Sequence, residues 1–248
     1  MNGLRGTAFE FRYRFLVIAA IYWIGFSCYT FDHVNAGVAV AGWMLGRPVR
    51  AGSAHDRTVL QMVFGFGALL AIAAAAIRTW AAAYLKSDVV HDLRLHSEAL
   101  VADGPFRYLR NPLYLGLVLL SAGIGVMASR AGWVVLVGLN YIFCRRLILR
   151  EEAQLLESQG DSYAAFCRAV PRLWPALRPR VPSGGMPARW GQALLGEAFV
   201  WVFAVAEVIF AVTLRQKVAF RMIGFVLLGY VVIVFGFRRR RGRAGTGG

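Results

Sequence analysis

The fold is decided by residues 113–149, which read LYLGLVLLSAGIGVMASRAGWVVLVGLNYIFCRRLIL. The stretch contains two apolar runs, 113–128 and 133–149, and only residues 129–132 separate them. Each run comes near the roughly 20 residues that a helix needs to cross a hydrocarbon core of about 30 Å. Helices are favoured because backbone polar groups in lipid must be satisfied within their own segment, and the alternation of a β-barrel strand is missing. The stretch therefore predicts a tight antiparallel helical hairpin in a membrane.

The composition of the whole chain agrees with a lipid environment. Of the 248 residues, 58% are hydrophobic and 17% are charged, and the mean hydropathy is +0.54. A soluble domain usually has about 25% charged and about 45–50% apolar residues. This balance excludes a disordered chain, a coiled coil and a disulfide scaffold. Cys28, Cys144 and Cys167 show no CxxC spacing, so neither a disulfide framework nor a thiolate metal site is predicted.

Hydropathy predicts six membrane spans, at 15–31, 60–82, 113–128, 133–149, 193–214 and 219–237. The predicted fold is all-α, a polytopic bundle of about six transmembrane helices. A weaker apolar run over 34–45 is short and rich in glycine, so we expect it outside the membrane or at its surface. No cleaved signal peptide is expected, because the first apolar stretch has full spanning length and lacks an AxA-type site.

The basic residues follow the predicted topology. With both termini in the cytoplasm, the inner segments 1–14, 83–112, 145–192 and 238–248 hold 20 of the 28 lysines and arginines. This is the bias of the positive-inside rule. The net charge of +15 is therefore attributed to topology and not to nucleic-acid binding, and the arginine run over 238–243 is interpreted as a stop-transfer anchor. We expect an integral protein of a prokaryotic inner membrane.

Several weaker patterns carry less information. The GFG and GIG patterns lie inside apolar spans, where small residues allow close helix packing, and not in a βαβ unit. His91 and His96 lack the repeated HxxH clusters of membrane metalloenzymes, so no metal is predicted. Glu197 and Glu207 fall in the fifth span, where burying a charge costs about 2.5–3.5 kcal/mol. For both, a functional carboxylate and a protonated or arginine-paired structural one stay open.

The first polar inner segment ends in the motif GPFRYLRNPLYLG, over residues 104–116. Its Gly-Pro pair predicts a turn, and Pro112 suits a first helical turn because its missing N–H would be unpaired there. The N–H groups that follow and the helix dipole favour an anionic group at the membrane surface. Arg107 and Arg110 add positive charge. The loop and first helical turn of this motif therefore suit a zwitterionic, partly aromatic ligand.

The second polar inner segment begins with RRLILREEAQLL, over residues 145–156, and is predicted to continue the fourth span as a helix that leaves the membrane. Glu151 and Glu152 then lie about one turn beyond the bilayer edge, where Arg146 and Arg150 can reach them. Surface ion pairs worth about 0.3–0.5 kcal/mol each would explain this spacing equally well. A functional and a structural interpretation therefore stay open on these residues alone.

Together the two motifs resemble the isoprenylcysteine carboxyl methyltransferase family, whose wider superfamily includes the phospholipid N-methyltransferases. The shared pattern is G-P-[FY]-x-x-x-R-[HN]-P-x-Y-x-G, then E-E-x-x-L-x-x-x-x-G-x-x-Y-x-x-[FY]-x-x-x-V-P-R, within about residues 60–175. Arg78 and Trp80 resemble the arginine–tryptophan pair that precedes the first motif. The resemblance implies a methyltransferase that binds S-adenosylmethionine between the cytoplasmic helix ends and the polar stretch that follows, with no Rossmann domain.

The resemblance also implies the site residues. It implies that the cofactor is contacted by His91, Leu100, Val101, Phe106, Arg110, Asn111, Pro112, Leu113, Tyr114 and Glu151. It gives the substrate side to Arg146 and Glu152, since a carboxylate acceptor needs an arginine to place it and an amine acceptor needs a base. Asn111 stands where the family usually has histidine, and Phe106 where it has tyrosine, which removes a protonatable group and a hydroxyl contact.

These expectations divide the chain into three parts. Residues 1–59 form an N-terminal span with an outer loop, 60–190 the methyltransferase core, and 191–248 a C-terminal hairpin with a basic tail. The expected reaction is methylation of the head group of a lipid-like or prenylated substrate at the cytoplasmic face. The alternatives are a phospholipid N-methyltransferase, an NADPH-dependent membrane reductase on a related scaffold, and a non-enzymatic membrane protein that acts through Glu207 and its basic tail.

Overall fold

The computed structural model describes residues 5–85 and 102–215, together with Lys217 and Arg221. Over these residues the regular structure is helical, and two residues, Asn35 and Ser129, form an isolated antiparallel bridge. The α-helices are α1 (Ala8–Arg12), α2 (Arg14–Ser27), α3 (Ala36–Leu45), α4 (Ala54–Tyr84), α5 (Pro112–Gly125), α6 (Arg130–Ala169), α7 (Trp190–Gly196) and α8 (Ala198–Thr213). The described part of the chain confirms the predicted all-α class.

Helix α4 lies at the centre of the bundle. It packs against α3, α5, α7 and α8. Its small side chains allow this, because they let helix backbones approach closely: Ala71, Ala74 and Ala75 are fully buried. At the closest approach of α4 and α5, a Cβ built on Gly123 would lie 2.6 Å from the carbonyl oxygen of Gly67. Gly67 and Gly123 thus serve packing, as the sequence predicts, whereas a Cβ on Gly65 would meet nothing within 4 Å.

The predicted helical hairpin is formed by α5 and α6. Residues 126–129 join them, and the side chain of Ser129 caps α6 by accepting a hydrogen bond from the Gly132 N–H at 3.0 Å. The helices are antiparallel, since Trp133 at the start of α6 donates to the Ala122 carbonyl near the end of α5. Helix α2 packs along the other side of α6. The hairpin therefore positions the start of α5 beside the middle of α6.

The number of membrane spans differs from the prediction. Among the described residues, α4 and α6 are long and apolar enough to cross a membrane, and α7 with α8 would add a third if the two form one span. Helices α2 and α5 have 14 residues each, or about 21 Å, which is shorter than a hydrocarbon core of about 30 Å. The predicted span at 219–237 lies outside the described residues.

The predicted span over 193–214 consists of two helices instead of one. The chain breaks at Glu197 into α7 and α8, which meet at 64°. Glu197 has φ −99° and ψ 7°, outside helical values, and its side chain is buried in an ion pair with Arg78 of α4. Hydropathy does not register this pairing, because it depends on a residue more than a hundred positions away.

The short apolar run over 34–45 forms α3. Asn35 caps it by accepting a hydrogen bond from the Val38 N–H at 2.9 Å. The buried Ala41 of α3 packs against Val59 and Val63 in the first half of α4. Trp43 is left 81% exposed. The location of α3 at a membrane surface stays a prediction.

The contact between Gly67 and Gly123 predicts the effect of one methyl group. Gly123→Ala pushes a Cβ against the backbone of α4, and overpacking of this kind costs about 1–3 kcal/mol. We expect a lower thermal midpoint of the detergent-solubilised protein. Gly65→Ala is the matched control, because a Cβ there meets nothing within 4 Å. Equal midpoints for the two variants would contradict the close packing of α4 on α5.

Candidate active site

The first motif forms a loop between α4 and α5, which we call the motif loop (residues 103–111). It contains a short 3-10 helix, Gly104–Arg107. Gly104 has φ +55°, and a Cβ on it would lie 2.3 Å from the ring of Tyr84 at the end of α4. A side chain is therefore excluded at this position both by the backbone conformation and by the close contact. The Gly-Pro turn closes the motif loop against α4.

The polar segment after α6 lies along the motif loop. We call residues 170–189 the strap. Three backbone hydrogen bonds join the two, from Arg110 to Pro171 at 2.9 Å, from Ala176 to Tyr108 at 2.9 Å and from Arg180 to Arg107 at 2.8 Å. The Arg107 side chain also donates to the Val181 carbonyl at 3.0 Å. The strap thus covers the motif loop.

A buried carboxylate fixes the far end of the strap. One oxygen of Asp103 accepts hydrogen bonds from the Ser183 hydroxyl and from the Gly184 N–H at 2.8 Å, and the other accepts from the Met186 N–H at 3.0 Å. The Ser183 hydroxyl and these backbone N–H groups hold the pKa of Asp103 below its usual value. Asp103 was not singled out from the sequence, although an aspartate before a Gly-Pro turn is a common local hydrogen-bonding residue.

Glu152 of α6 joins the motif loop to the strap. Its Oε1 lies 3.1 Å from Nε of Arg110 and accepts a hydrogen bond from the Asn111 amide at 3.2 Å. Its Oε2 accepts from Nε of Arg172 in the strap at 2.9 Å. Arg110 also donates to the Cys167 carbonyl at 2.6 Å. Both oxygens of Glu152 are therefore engaged, and the carboxylate holds three segments together.

Glu151 lies beside this group and meets the start of α5. The Tyr114 hydroxyl, in the first turn of α5, donates to its Oε1 at 2.5 Å. The N-cap residue of α5 is Asn111, whose side chain makes no capping hydrogen bond; its amide nitrogen donates instead to Glu152 and to the Arg172 carbonyl. An uncapped helix start presents N–H donors and a positive dipole end to an anion.

The structure thus brings most of the predicted cofactor residues to one place. Arg110 and Asn111 of the motif loop contact Glu152, and Tyr114 of α5 contacts Glu151. Pro112 and Leu113 lie in the same first turn of α5. Phe106 is half-buried in the short 3-10 helix of the motif loop. His91, Leu100 and Val101 lie outside the described residues.

The expected pairing of the two glutamates with Arg146 and Arg150 is wrong. Arg146 pairs with Glu10 of α1, with two N–O distances of 3.0 Å. Arg150 donates to the Gly6 carbonyl at 3.1 Å. Successive helical residues are separated by about 100°, so the two arginines face the N-terminal segment and the glutamates face α5 and the strap. Arg172, the last residue of the second motif, takes the place expected for the arginines of α6.

The two carboxylates of the fifth predicted span have different surroundings. Glu197 is 2% exposed and forms a two-point ion pair with Arg78, so the arginine-paired alternative is confirmed for it. Glu207 is also buried, and neither of its oxygens has a hydrogen-bond partner within the described ranges. Over the same ranges no group of three or more His, Cys, Asp or Glu side chains is arranged to hold a metal ion.

One segment of the chain matches a known protein family. Residues 61–160 match the phospholipid methyltransferase family. The superfamily predicted from the two motifs is confirmed over this segment, which contains most of α4, the motif loop, α5 and both glutamates of α6. The match covers about two fifths of the chain, and over that segment the chain is similar to membrane methyltransferases of this superfamily.

One curated relative and the solved structures complete the comparison. The chain is 26% identical over 100 residues to the cobalt-zinc-cadmium resistance protein CzcN of Cupriavidus metallidurans. The aligned part covers 40% of this chain and 43% of that protein, so it spans less than half of the relative's length. No solved structure matches the chain.

Because Glu152 holds the motif loop and the strap to α6, its substitution is predicted to lower the stability of the protein. Glu152→Gln leaves Arg110 and Arg172 without their carboxylate, and removing one partner of a buried pair costs on the order of 3 kcal/mol. We expect a lower thermal midpoint and faster tryptic cleavage within the strap. Glu157→Gln, at an exposed position of the same helix, is the control and changes neither quantity. A Glu152→Gln protein as stable and as resistant to trypsin as the control would contradict this role.

Proposed function

We propose that the protein is an S-adenosylmethionine-dependent methyltransferase of the isoprenylcysteine carboxyl methyltransferase type. Its substrate is the head group of a lipid-like or prenylated molecule at the cytoplasmic face of the membrane. The observation that carries the proposal is the meeting of the two motifs. Asn111 lies 3.2 Å from Glu152 and Tyr114 lies 2.5 Å from Glu151, in the segment that matches a methyltransferase family.

The groups at this place fit the chemistry of S-adenosylmethionine. The uncapped start of α5 offers backbone N–H donors to a carboxylate, and Glu151 offers an acceptor to an ammonium group or a ribose hydroxyl. Phe106 and Leu113 are half-buried and offer apolar surface for the adenine. When bound, S-adenosylmethionine supplies a methyl group that is already activated on a sulfonium. The residues of this chain have to bind the cofactor, orient it toward the acceptor and exclude water.

A carboxylate acceptor fits a site that has only to bind and orient its reactants. A carboxylate is ionised at neutral pH and needs placement rather than deprotonation, and placement can contribute about 7–11 kcal/mol to the lowering of a barrier. Arg146 is the residue that the resemblance gives to this task. Its guanidinium already meets a carboxylate through two nitrogens, that of Glu10. A substrate carboxylate would have to displace Glu10 to accept the same two-point geometry, on the face of α6 that is turned to the N-terminal segment.

A phospholipid amine is the second candidate acceptor, because the matching family model is that of phospholipid methyltransferases. An amine must lose a proton before or during methyl transfer. Glu151 is the better candidate base of the two glutamates. Both oxygens of Glu152 are engaged with Arg110, Asn111 and Arg172, whereas the hydrogen bond of Glu151 comes from a tyrosine hydroxyl.

The reaction product tests the proposal. Purified protein in lipid vesicles, incubated with methyl-labelled S-adenosylmethionine and a total lipid extract, is expected to yield label that base releases as methanol, as an ester does. Glu151→Gln is expected to lose the activity together with stabilisation by S-adenosylhomocysteine, because it removes the negative charge that pairs with an ammonium group and replaces one acceptor oxygen by a donor. Glu157→Gln is the control and keeps both.

Two other outcomes of this experiment would overturn parts of the proposal. Label that resists base would overturn the carboxylate acceptor in favour of the amine. A wild-type protein that transfers no label and is stabilised by NADPH instead of S-adenosylhomocysteine would overturn the methyltransferase assignment in favour of a reductase.

A further inference from the structure

A buried ion pair connects the C-terminal helices to the start of α5. Arg78 of α4 donates from Nε to Oε2 of Glu197 at 2.7 Å and from Nη2 to Oε1 at 3.0 Å. Its remaining terminal nitrogen, Nη1, donates to the Leu113 carbonyl at 3.2 Å. One guanidinium therefore joins α4, the break between α7 and α8, and the first turn of α5.

The local packing keeps Arg78 in this orientation. Its stem lies on Gly116, where a Cβ would come 2.3 Å from Cγ of the arginine. The glycine that ends the first motif thus makes room for Arg78 beneath the first turn of α5. Leu113, which receives the hydrogen bond, lies between Pro112 and Tyr114 of the motif. The contact is made at the turn that we assign to the cofactor.

Glu197 reaches Arg78 because of the break in the C-terminal helices. It lies at the 64° bend between α7 and α8, and it is 2% exposed. It also lies beyond residues 61–160, the segment that matches the family. Near the bend, the indole N–H of Trp201 donates to the Thr79 hydroxyl at 3.0 Å. These two neighbouring contacts fasten the C-terminal helices to α4.

We propose that Glu197 is a positioning residue of the cofactor site. It holds the guanidinium of Arg78 by two hydrogen bonds, and Arg78 in turn fixes the Leu113 carbonyl and the first turn of α5. The C-terminal helices α7 and α8 thereby complete a site whose contacting residues lie in the matched segment. A buried ion pair adds little net stability compared with apolar side chains of similar size, so its main effect is on geometry. The proposal rests on the proposed function, since it assigns the first turn of α5 to S-adenosylmethionine.

The first measurement is the dissociation constant of S-adenosylhomocysteine for the wild-type protein and for Glu197→Gln. We expect about tenfold weaker binding, which corresponds to the loss of one charge-assisted hydrogen bond at the site. The KM for S-adenosylmethionine should rise with it, while the KM for the acceptor stays unchanged. Thr79→Val is the matched control, because it removes the neighbouring hydrogen bond from Trp201 and none of the hydrogen bonds of Arg78.

A double variant separates positioning from simple stability. Arg78→Met with Glu197→Leu replaces the ion pair by apolar side chains of similar size, so it is expected to recover the thermal midpoint of the wild type. Because it cannot donate to the Leu113 carbonyl, its affinity for S-adenosylhomocysteine is expected to stay about tenfold low. Wild-type affinity in the double variant would overturn the proposal, even if Glu197→Gln alone fails to fold. A wild-type protein that does not bind S-adenosylhomocysteine would instead overturn the proposed function itself.

Discussion

The ion pairs of the Glu152 carboxylate set the geometry of the site. A buried carboxylate costs several kcal/mol unless charged and hydrogen-bonded partners surround it. Arg110 and Asn111 of the motif loop and Arg172 of the strap supply those partners. Satisfying one charge therefore requires the loop before α5, the middle of α6 and the segment after α6 to meet. The start of α5 is then held beside Glu151, with its N-terminal N–H groups left uncapped by the Asn111 side chain.

This arrangement shows how the proposed methyltransferase site is built from the ends of helices in the described part of the chain. Helix ends at one side of the bundle supply donors, carboxylates and apolar surface, and the strap covers them through backbone hydrogen bonds and the Asp103 carboxylate. The central helix α4 also supports the site, because Arg78 contacts the first turn of α5 and Tyr84 contacts Gly104. Packing of small residues in the bundle and polar contacts at its end thus act on the same helix, α5.

Local patterns predicted part of this structure. The apolar runs around residues 129–132 were enough to predict the α5–α6 hairpin. The resemblance of the two motifs to a known family implied that Asn111, Tyr114, Glu151 and Glu152 lie at one site. Long-range pairing was not predictable from these patterns. The break at Glu197 depends on Arg78, and the partners of Glu152 come from the strap and the motif loop. Spacing along α6 suggested Arg146 and Arg150 as partners, but the direction in which each helical residue faces placed both against the N-terminal segment.

The most direct test of the central claim is where S-adenosylmethionine attaches to the protein. Ultraviolet irradiation with labelled S-adenosylmethionine, followed by peptide mapping, is expected to place the label within residues 104–116 or 147–160. An excess of S-adenosylhomocysteine is expected to remove that label. Label confined to α2, α3 or α8, or label at the two motifs that S-adenosylhomocysteine does not displace, would contradict a cofactor site between the start of α5 and the glutamates of α6.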